Sequence, residues 1–152
     1  MSDIAFRRAR EQDLPHIVAL LADDPLGSTR DDASLPLDAG YAAAFDALSR
    51  DSNQLMAVAE RDGDVVGCLQ LSFIPGLTRK GAWRGQIEGV RIAASSRGKG
   101  LGRKFFEWAI AECRARDCAL VQLSTDVTRP DAKRFYESLG FEASHVGLKL
   151  LL

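Results

Sequence analysis

The sequence contains little that would support a disulfide framework, a metal centre or a membrane span. Its 152 residues include only two histidines and three cysteines, Cys68, Cys113 and Cys118, which are odd in number and widely spaced. Such a set predicts neither a disulfide scaffold nor a zinc site, and it is typical of a reducing compartment. No apolar run approaches the roughly 20 residues of a membrane span, and the charged first residues lack the apolar core of a signal peptide. We therefore expect a cytoplasmic protein that binds no metal and no membrane.

An excess of charge of one sign is also missing. The chain has 20 basic and 21 acidic residues, which gives a net charge of −1. Proteins that bind nucleic acid by electrostatic attraction usually carry a basic excess or a basic patch, so we expect no nucleic-acid partner. The length and the apolar content of 46% predict a single globular domain over residues 1–152.

Hydrophobic periodicity predicts an alternation of strands and helices. Asp62-Gly63 is a strong hairpin signal, because both turn residues must accept a positive φ. Thr128 is predicted to cap a helix that has Pro130 in its first turn and ends at Gly140. The predicted strands lie at 4–9, 54–61, 65–73, 86–92, 119–124 and 146–152, with a short additional strand at 141–142 left open, and the helices lie at 11–23, at 37–48, from 101 and from 128. This order, βααβββαβαβ, predicts a mixed α/β fold in which helices cover a central sheet.

The rest of the chain is organised around residues 86–103, QIEGVRIAASSRGKGLGR. A β-branched strand is followed by a polar turn, then by a glycine-rich bend, and then directly by a helix. The first amides of a helix have no internal acceptors and lie at the positive end of its dipole, and glycines let a ligand approach the backbone. The stretch therefore predicts a phosphate or diphosphate site, which the positive side chains of Arg97, Lys99 and Arg103 would strengthen. A glycine-rich loop without a ligand is the alternative.

Two common phosphate-binding motifs do not fit this bend. A P-loop needs a hydroxyl residue after its lysine, but Lys99 is followed by Gly100. The dinucleotide fingerprint needs a different glycine spacing, early in a βαβ unit. The pattern that does match is Arg-x-x-Gly-x-Gly over residues 97–102. A second segment, residues 131–141, contains Ala-x-x-Phe-Tyr-x-x-x-Gly-Phe.

Together, in this order, the two segments resemble the acetyl-CoA-binding motif and the late helix of the GCN5-related N-acetyltransferase (GNAT) family. The resemblance covers the element order from Ile4 onward and is sharp only over 86–103 and 131–141. It implies the acyl-CoA N-acyltransferase fold, with a mixed, mostly antiparallel central sheet flanked by helices. It also implies acetyl-CoA as cosubstrate and transfer of the acetyl group, within a ternary complex, to a primary amine of a small molecule or peptide.

The resemblance also implies roles for individual residues. Backbone groups of Val90, Arg91 and Ile92 would pair with the pantetheine arm like an added strand. The diphosphate would be held by the bend, at Arg97, Gly98, Lys99, Gly100, Leu101, Gly102 and Arg103. Tyr136 would donate a proton to the thiolate leaving group, and Glu88 would remove a proton from the amine, directly or through water. A core aromatic residue and a solvent-facing carboxylate are the respective alternatives.

Several features of the chain leave alternatives open. Gly89 is interpreted as a bulge that separates its strand from the next. The asparagine that the family often has before the tyrosine helix is missing, and Thr125, Asp126 or Arg129 are the possible replacements. Acidic residues crowd the region that would face the acceptor and either recognise a cationic amine or are simply solvated: Asp23, Asp24, Asp31, Asp32 and Asp38. A CoA-binding module without turnover is the alternative function, and the apolar strand at 146–152 suggests a possible homodimer.

Overall fold

The computed structural model describes residues 3–152 and shows an α/β architecture around one five-stranded sheet, in the order β1-β2-β3-β4-β5. The strands are β1 (Ile4–Arg8), β2 (Gln54–Arg61), β3 (Asp64–Ile74), β4 (Arg84–Ile92) and β5 (Leu120–Gln122). The helices are α1 (Leu14–Ala22), α2 (Ala39–Arg50), the single turn α3 (Thr78–Gly81), α4 (Leu101–Ala115) and α5 (Pro130–Ser138). Strands β1 to β4 pair antiparallel and β5 pairs parallel to β4. The mixed, mostly antiparallel sheet and the predicted order through α5 are confirmed.

The hairpin between β2 and β3 forms where the sequence predicts it. Arg61 pairs with Asp64, and the two residues between them, Asp62 and Gly63, have φ values of 52° and 87°. Both values lie in the left-handed region that a two-residue turn of this kind requires, and Asp and Gly tolerate that region better than most residues. The turn sets the register of β2 against β3 and therefore decides which of their side chains face each helix layer.

Alternation along β3 distributes the core between the two faces of the sheet. Leu69 and Leu71 are fully buried on the face that packs against Phe105 and Phe106 of α4. Cys68 is fully buried on the opposite face, in a smaller cluster that includes residues of α1. Helices therefore cover both faces, and the strands between them must be apolar on both sides, which explains the nearly continuous apolar runs of β2 and β3.

A buried ion pair joins β1 to the start of α1. Arg7 donates to Asp13 from both terminal nitrogens, at 2.8 and 3.1 Å, and to Glu60 from Nε at 2.7 Å. The hydrogen bonds from Arg7 hold the pKa of the Asp13 carboxyl below its usual range, although burial opposes this shift. Within residues 3–152, no helix has both the length and the apolar character needed to cross a membrane.

Two predictions for the later part of the chain are wrong, and one possibility that was left open is not realised. The segment Val146–Leu152 forms no strand, and neither do residues 141–142. A strand needs a neighbour to accept its backbone hydrogen bonds, and none is paired with these residues within the described chain. Thr128 does not cap α5 either, since its amide and hydroxyl both donate to Asp126 and Arg129 occupies the N-cap position. The predicted end of that helix is confirmed, because Gly140 follows it with a φ of 98°.

Candidate active site

The site is built around the second half of β4. Only Arg84–Gln86 pair with β5, so the two strands separate beyond Gln86. Gly89 has a φ of 62°, and the register between β3 and β4 shifts at this point, since Gln70 pairs with Glu88 and Cys68 with Arg91. The predicted bulge is thereby confirmed. As a result, β4 from Ile87 to Ile92 has no strand partner on its β5 side among the described residues. The carbonyls of Val90 and Ile92 accept hydrogen bonds from the side chains of Arg91 and Arg97 instead.

The bend after β4 keeps its backbone open to ligands. A single 3-10 turn, Ala94–Ser96, is anchored by Ser96, whose buried hydroxyl accepts a hydrogen bond from Arg61 at 3.2 Å. Gly98 and Gly100 follow with φ values of 74° and 76°, and a Cβ atom at either position would meet no atom within 4 Å. Glycine suits these positions for two reasons. It accepts the left-handed backbone without strain, and it leaves the outer surface of the bend uncovered.

Helix α4 begins with unpaired amide donors. Gly100 is its N-cap residue, no side chain caps the helix, and its first backbone bond runs from the amide of Lys104 to the carbonyl of Gly100 at 3.2 Å. The amides of residues 101–103 precede that bond, and no acidic side chain lies in the first turn. An anion at this end of the helix would satisfy those donors and interact favourably with the helix dipole. The bend therefore fits a diphosphate group.

The three basic side chains of the bend are held against the protein. Arg97 donates from Nε to the carbonyl of Ile92 at 3.0 Å, and Lys99 donates to the carbonyl of Ser95 at 3.3 Å. Arg103 donates to the hydroxyl of Ser138 at 2.9 Å. These bonds stiffen the bend and connect it to α5, while the positive charges stay close to the open amides. The structure therefore brings together all seven bend residues that the sequence predicted, and their unpaired backbone amides are the groups that remain free to donate hydrogen bonds.

Tyr136 lies beside this bend on α5. Its ring is half-buried against Phe106 and Phe141, at centroid distances of 5.4 and 6.3 Å. A Cβ atom at Gly102 would lie 3.7 Å from the neighbouring Phe135, so the start of α4 is in close contact with the second half of α5. Burial raises the pKa of Tyr136, although the positive charges of Arg129 and Arg91 oppose this. Its phenol therefore stays protonated throughout the neutral range and can serve as a proton donor.

Glu88 lies on β4, immediately before the bulge. It pairs with Gln70, and directly opposed residues of antiparallel strands point to the same face. Gln70 is two residues from Cys68, which faces α1, so Glu88 also points to the α1 side of the sheet. The side chain is exposed and forms no ion pair among the described residues. The structure thus places a free carboxylate on the strand that lines the gap, two residues before Val90.

The structure also contains a partly buried cluster of one carboxylate and two arginines near Tyr136, which the sequence analysis did not predict. Asp24, in the loop after α1, lies 2.6 Å from Arg91 of β4 and 3.1 Å from Arg129, which precedes α5. It also accepts a hydrogen bond from the amide of Gly27. Burial opposes ionisation of Asp24, but the Gly27 amide and the two arginines outweigh it and hold the pKa of its carboxyl below the usual range. The cluster ties the α1–α2 loop to β4 and α5.

The other acidic residues of the α1–α2 region mostly have local roles. Asp38 caps α2 by accepting from the amide of Gly40 at 2.8 Å, and Asp31 accepts from the hydroxyl of Tyr41 at 3.0 Å. Asp32 accepts from the amide of Ser34 at 2.9 Å. These hydrogen bonds orient the carboxylates of Asp31, Asp32 and Asp38 but leave them charged, and among the described residues only Asp24 of the five acids forms an ion pair. Of the three replacements considered for the missing asparagine, Arg129 is the one whose charge acts on Tyr136.

The fold and the site define a class of protein. A mixed sheet whose fourth and fifth strands separate, followed by a glycine bend at a helix start, is the arrangement that the sequence resemblance implied. The family model described as the acetyltransferase (GNAT) family matches residues 8–141. The chain belongs to this family.

Two curated acetyltransferases and one solved structure are similar to this chain. The aminoalkylphosphonate N-acetyltransferase of Salmonella typhimurium is 35% identical over 101 residues, which cover 66% of this chain and 65% of that protein. The glucosamine 6-phosphate N-acetyltransferase of Trypanosoma brucei brucei is 36% identical over 89 residues, or 58% of each chain. The chain therefore matches less than two thirds of the length of either curated relative. A solved structure from Bacillus halodurans C-125, described as a transcriptional regulator, is 46% identical, with a TM-score of 0.96, over 99% of this chain and 100% of that one.

Proposed function

We propose that this protein is an acetyl-CoA-dependent N-acetyltransferase, in which a primary amine attacks the thioester directly within a ternary complex. One observation carries the proposal. The unpaired edge of β4 leads into a bend with open helix-start amides, and Tyr136 lies beside that bend. A thioester carrier with a diphosphate needs both a donor-rich turn for its phosphates and a strand edge for its amide-containing arm. Residues 1–152 act in this proposal as one N-acetyltransferase domain.

The residues present fit acetyl-CoA. The amides of residues 98–103 hold the diphosphate, and Val90, Arg91 and Ile92 offer their backbone groups to the pantetheine arm. Bound there, acetyl-CoA supplies an activated acyl carbon beside β4. The free edge also provides backbone amides that can stabilise the oxyanion formed during the attack.

Two side chains carry out the proton transfers of the reaction. As the new N–C bond forms and the C–S bond breaks, Glu88 accepts a proton from the amine, directly or through a water molecule. Tyr136 donates its phenolic proton to the departing thiolate, and its raised pKa ensures that the proton is present at neutral pH. Glu88 lies on β4 and Tyr136 on α5, so the base and the acid approach the reacting thioester from different sides.

We further propose that the acceptor is a small primary amine that carries a phosphate or phosphonate group. The two curated relatives are named for such substrates. In this chain, Arg91 and Arg129 both act on Tyr136, and Asp24 is the one carboxylate within ion-pair distance of them among the described residues, although Asp126 also acts on Arg129. The Arg129 side chain is about one third exposed and can reach a ligand. Guanidinium groups match phosphate oxygens in geometry and charge.

The test measures thiol release from acetyl-CoA with matched pairs of amines. We expect turnover with 2-aminoethylphosphonate and glucosamine 6-phosphate, and kcat/KM at least about tenfold lower with ethylamine and glucosamine, since a charge-assisted hydrogen bond contributes about 1.5–3 kcal/mol. Equal rates within each pair would refute the acceptor class but not the transferase. In a Glu88→Gln variant, we expect kcat/KM to fall, because the amide cannot accept the proton of the amine.

A second candidate is a CoA-binding module without turnover. It is favoured by the description of the 46% identical relative as a transcriptional regulator. Calorimetry with CoA, run beside the thiol assay, separates the two. Binding of CoA without thiol release from phosphorylated amines, unphosphorylated amines and a lysine peptide would favour the module, and absence of CoA binding would contradict both.

A further inference from the structure

One face of the sheet carries a row of uncharged polar side chains. Gln54 of β2 pairs with Ser72 of β3, and Ser72 also pairs with Gln86 of β4. Gln86 in turn pairs with Gln122 of β5. Directly opposed residues point to the same face, and Gln70 joins them because it is two residues before Ser72 on β3. We refer to these five residues as the glutamine row, and it contains four of the five glutamines of the chain.

The glutamine row is held together by its own hydrogen bonds. The amide oxygen of Gln54 accepts from Gln70 at 3.2 Å and from Ser72 at 2.8 Å. The amide oxygen of Gln86 accepts from Gln122 at 3.0 Å, at the last residue pair before β4 and β5 separate. These bonds connect side chains on neighbouring strands, so the row is ordered before any ligand binds.

Half of the side-chain amide atoms in the row still have no partner. Among the described residues, the NH₂ groups of Gln54 and Gln86 donate no hydrogen bond, and the amide oxygens of Gln70 and Gln122 accept none. Within the same part of the chain, the buried side-chain polar atoms that lack a hydrogen-bond partner all belong to the ionic cluster at Asp24. The free amide atoms of the row are therefore open to solvent, where a ligand can reach them.

The proposed base adjoins the glutamine row. Glu88 lies opposite Gln70 and two residues beyond Gln86 on β4. Its Cα atom is therefore about 5 Å from that of Gln70 and about 6–7 Å from that of Gln86. Residues of α1 cover this face of the sheet at Cys68, on the other side of Glu88 from the row. A ligand whose amine lies at Glu88 can thus extend over the row, away from α1.

The chemistry of the row is complementary to hydroxyl groups. A hydroxyl both donates and accepts hydrogen bonds, and the row offers free donors and free acceptors in equal number without a charge. An apolar ligand would cover these amide groups and leave them unsatisfied, which is costly. We infer that the glutamine row binds the hydroxyl groups of the acceptor, which is then a polyhydroxylated primary amine with its amino group at Glu88. The inference rests on the proposed acetyl transfer and adds a recognition surface for its acceptor.

The first experiment compares two acceptors in the thiol-release assay. Glucosamine 6-phosphate and 3,4-dideoxyglucosamine 6-phosphate differ only in ring hydroxyl groups, and we expect the first to have the higher kcat/KM. Hydroxyl groups also change the pKa of the amine itself, so the decisive quantity is how a substitution changes the ratio of the two kcat/KM values. Both values come from one enzyme preparation, so partial loss of folded protein cancels in the ratio.

A double variant removes the amide groups nearest to the base. In Gln70→Leu/Gln86→Leu, we expect the ratio to fall at least about fivefold, because each neutral hydrogen bond contributes a factor of a few to binding. Gln12→Leu is the control. Gln12 is exposed in the turn before α1 and lies outside the row, so we expect its ratio to match the wild type. An unchanged ratio in the double variant would overturn the inference and leave the transferase standing.

Nuclear magnetic resonance tests the row without any acetyl transfer. In CoA-saturated protein, we expect the side-chain NH₂ signals of the four row glutamines to move when glucosamine 6-phosphate is added, while the signal of Gln12 stays in place. Row signals that stay in place at the highest soluble concentration of the amine would overturn the inference. If they move but no amine supports thiol release, the row binds the hydroxylated amine and only the proposed transferase activity fails.

Discussion

Replacement of Tyr136 by phenylalanine removes one oxygen atom and tests the proposed acid directly. The ring packs against Phe106 and Phe141, and the variant keeps those contacts. The hydroxyl forms no hydrogen bond with any described residue, so its loss leaves none of their polar groups without a partner. We therefore expect the free energy of unfolding to change by less than about 0.5 kcal/mol, as for substitutions away from special features.

The effect on turnover should be much larger. A positioned general acid contributes about 10²–10⁴-fold, so kcat should fall by that factor, which corresponds to about 2.7–5.5 kcal/mol in the activation free energy. Binding of CoA, measured by calorimetry, should be unchanged. Thiol release under saturating amine, with urea unfolding in parallel, gives both quantities.

The second tyrosine of the chain is a matched control. Tyr41 donates to Asp31 and accepts from the amide of Asp32, both at 3.0 Å, so Tyr41→Phe loses two hydrogen bonds. We expect it to lower stability by about 1 kcal/mol while reducing kcat far less than the Tyr136 change does. The reasoning fails if Tyr136→Phe turns over at the wild-type rate, or if its kcat loss is matched by an equal loss of stability.

Three other predictions concern the bend, the ion pair and a cysteine. Gly100→Ala should cost about 1–2 kcal/mol of stability, because its φ of 76° is strained for alanine, and it should weaken CoA binding when the bend relaxes away from the conformation that leaves its amides open. Gly63→Ala, at 87° in the β2–β3 turn, should cost similar stability and leave CoA affinity unchanged; equal CoA affinities of the two variants in calorimetry would refute this. Asp13→Asn should destabilise the fold by about 1.5–3 kcal/mol in urea unfolding, because it removes charge-assisted hydrogen bonds from Arg7, which keeps Glu60 as its remaining partner. Because the pKa of Asp13 is lowered in the folded state, Asp13 contributes to the free energy of unfolding above about pH 4, and this contribution is lost as the pH falls further. The stability of the variant should therefore depend less on pH in the acidic range. An unchanged pH dependence would contradict the argument. Burial raises the pKa of Cys68 to about 12, so its thiol should resist alkylation at pH 8 in the folded protein and react in urea; rapid labelling of the native protein would show that it is accessible.

Short stretches of sequence were sufficient to predict most of the fold and the backbone conformation of the candidate site. The turn at Asp62-Gly63, the bulge at Gly89 and the helix end at Gly140 are all positions where φ is positive, and a short stretch of sequence reports that requirement. The bend at residues 97–102 is equally local, because its function depends on consecutive backbone amides and on the start of one helix. These features need no information from distant residues.

Tertiary structure decided the features that depend on distant residues. Asp24, Arg91 and Arg129 come from three separate elements, and no spacing in the sequence indicates that one carboxylate is shared by both arginines. The cap of α5 was mispredicted because Asp126 competes for the Thr128 hydroxyl.

The amino-acid sequence by itself determined where the chain turns, which faces are apolar and where helix-start amides are left open, because each of these is a property of neighbouring residues. It also specified that residues 146–152 have one apolar face. Whether that face has a partner was decided only by the three-dimensional arrangement, since a strand forms only where another backbone edge lies within hydrogen-bonding distance. Among the described residues, two such edges have no strand partner: the side of β4 that faces β5 beyond Gln86, and the outer side of β5.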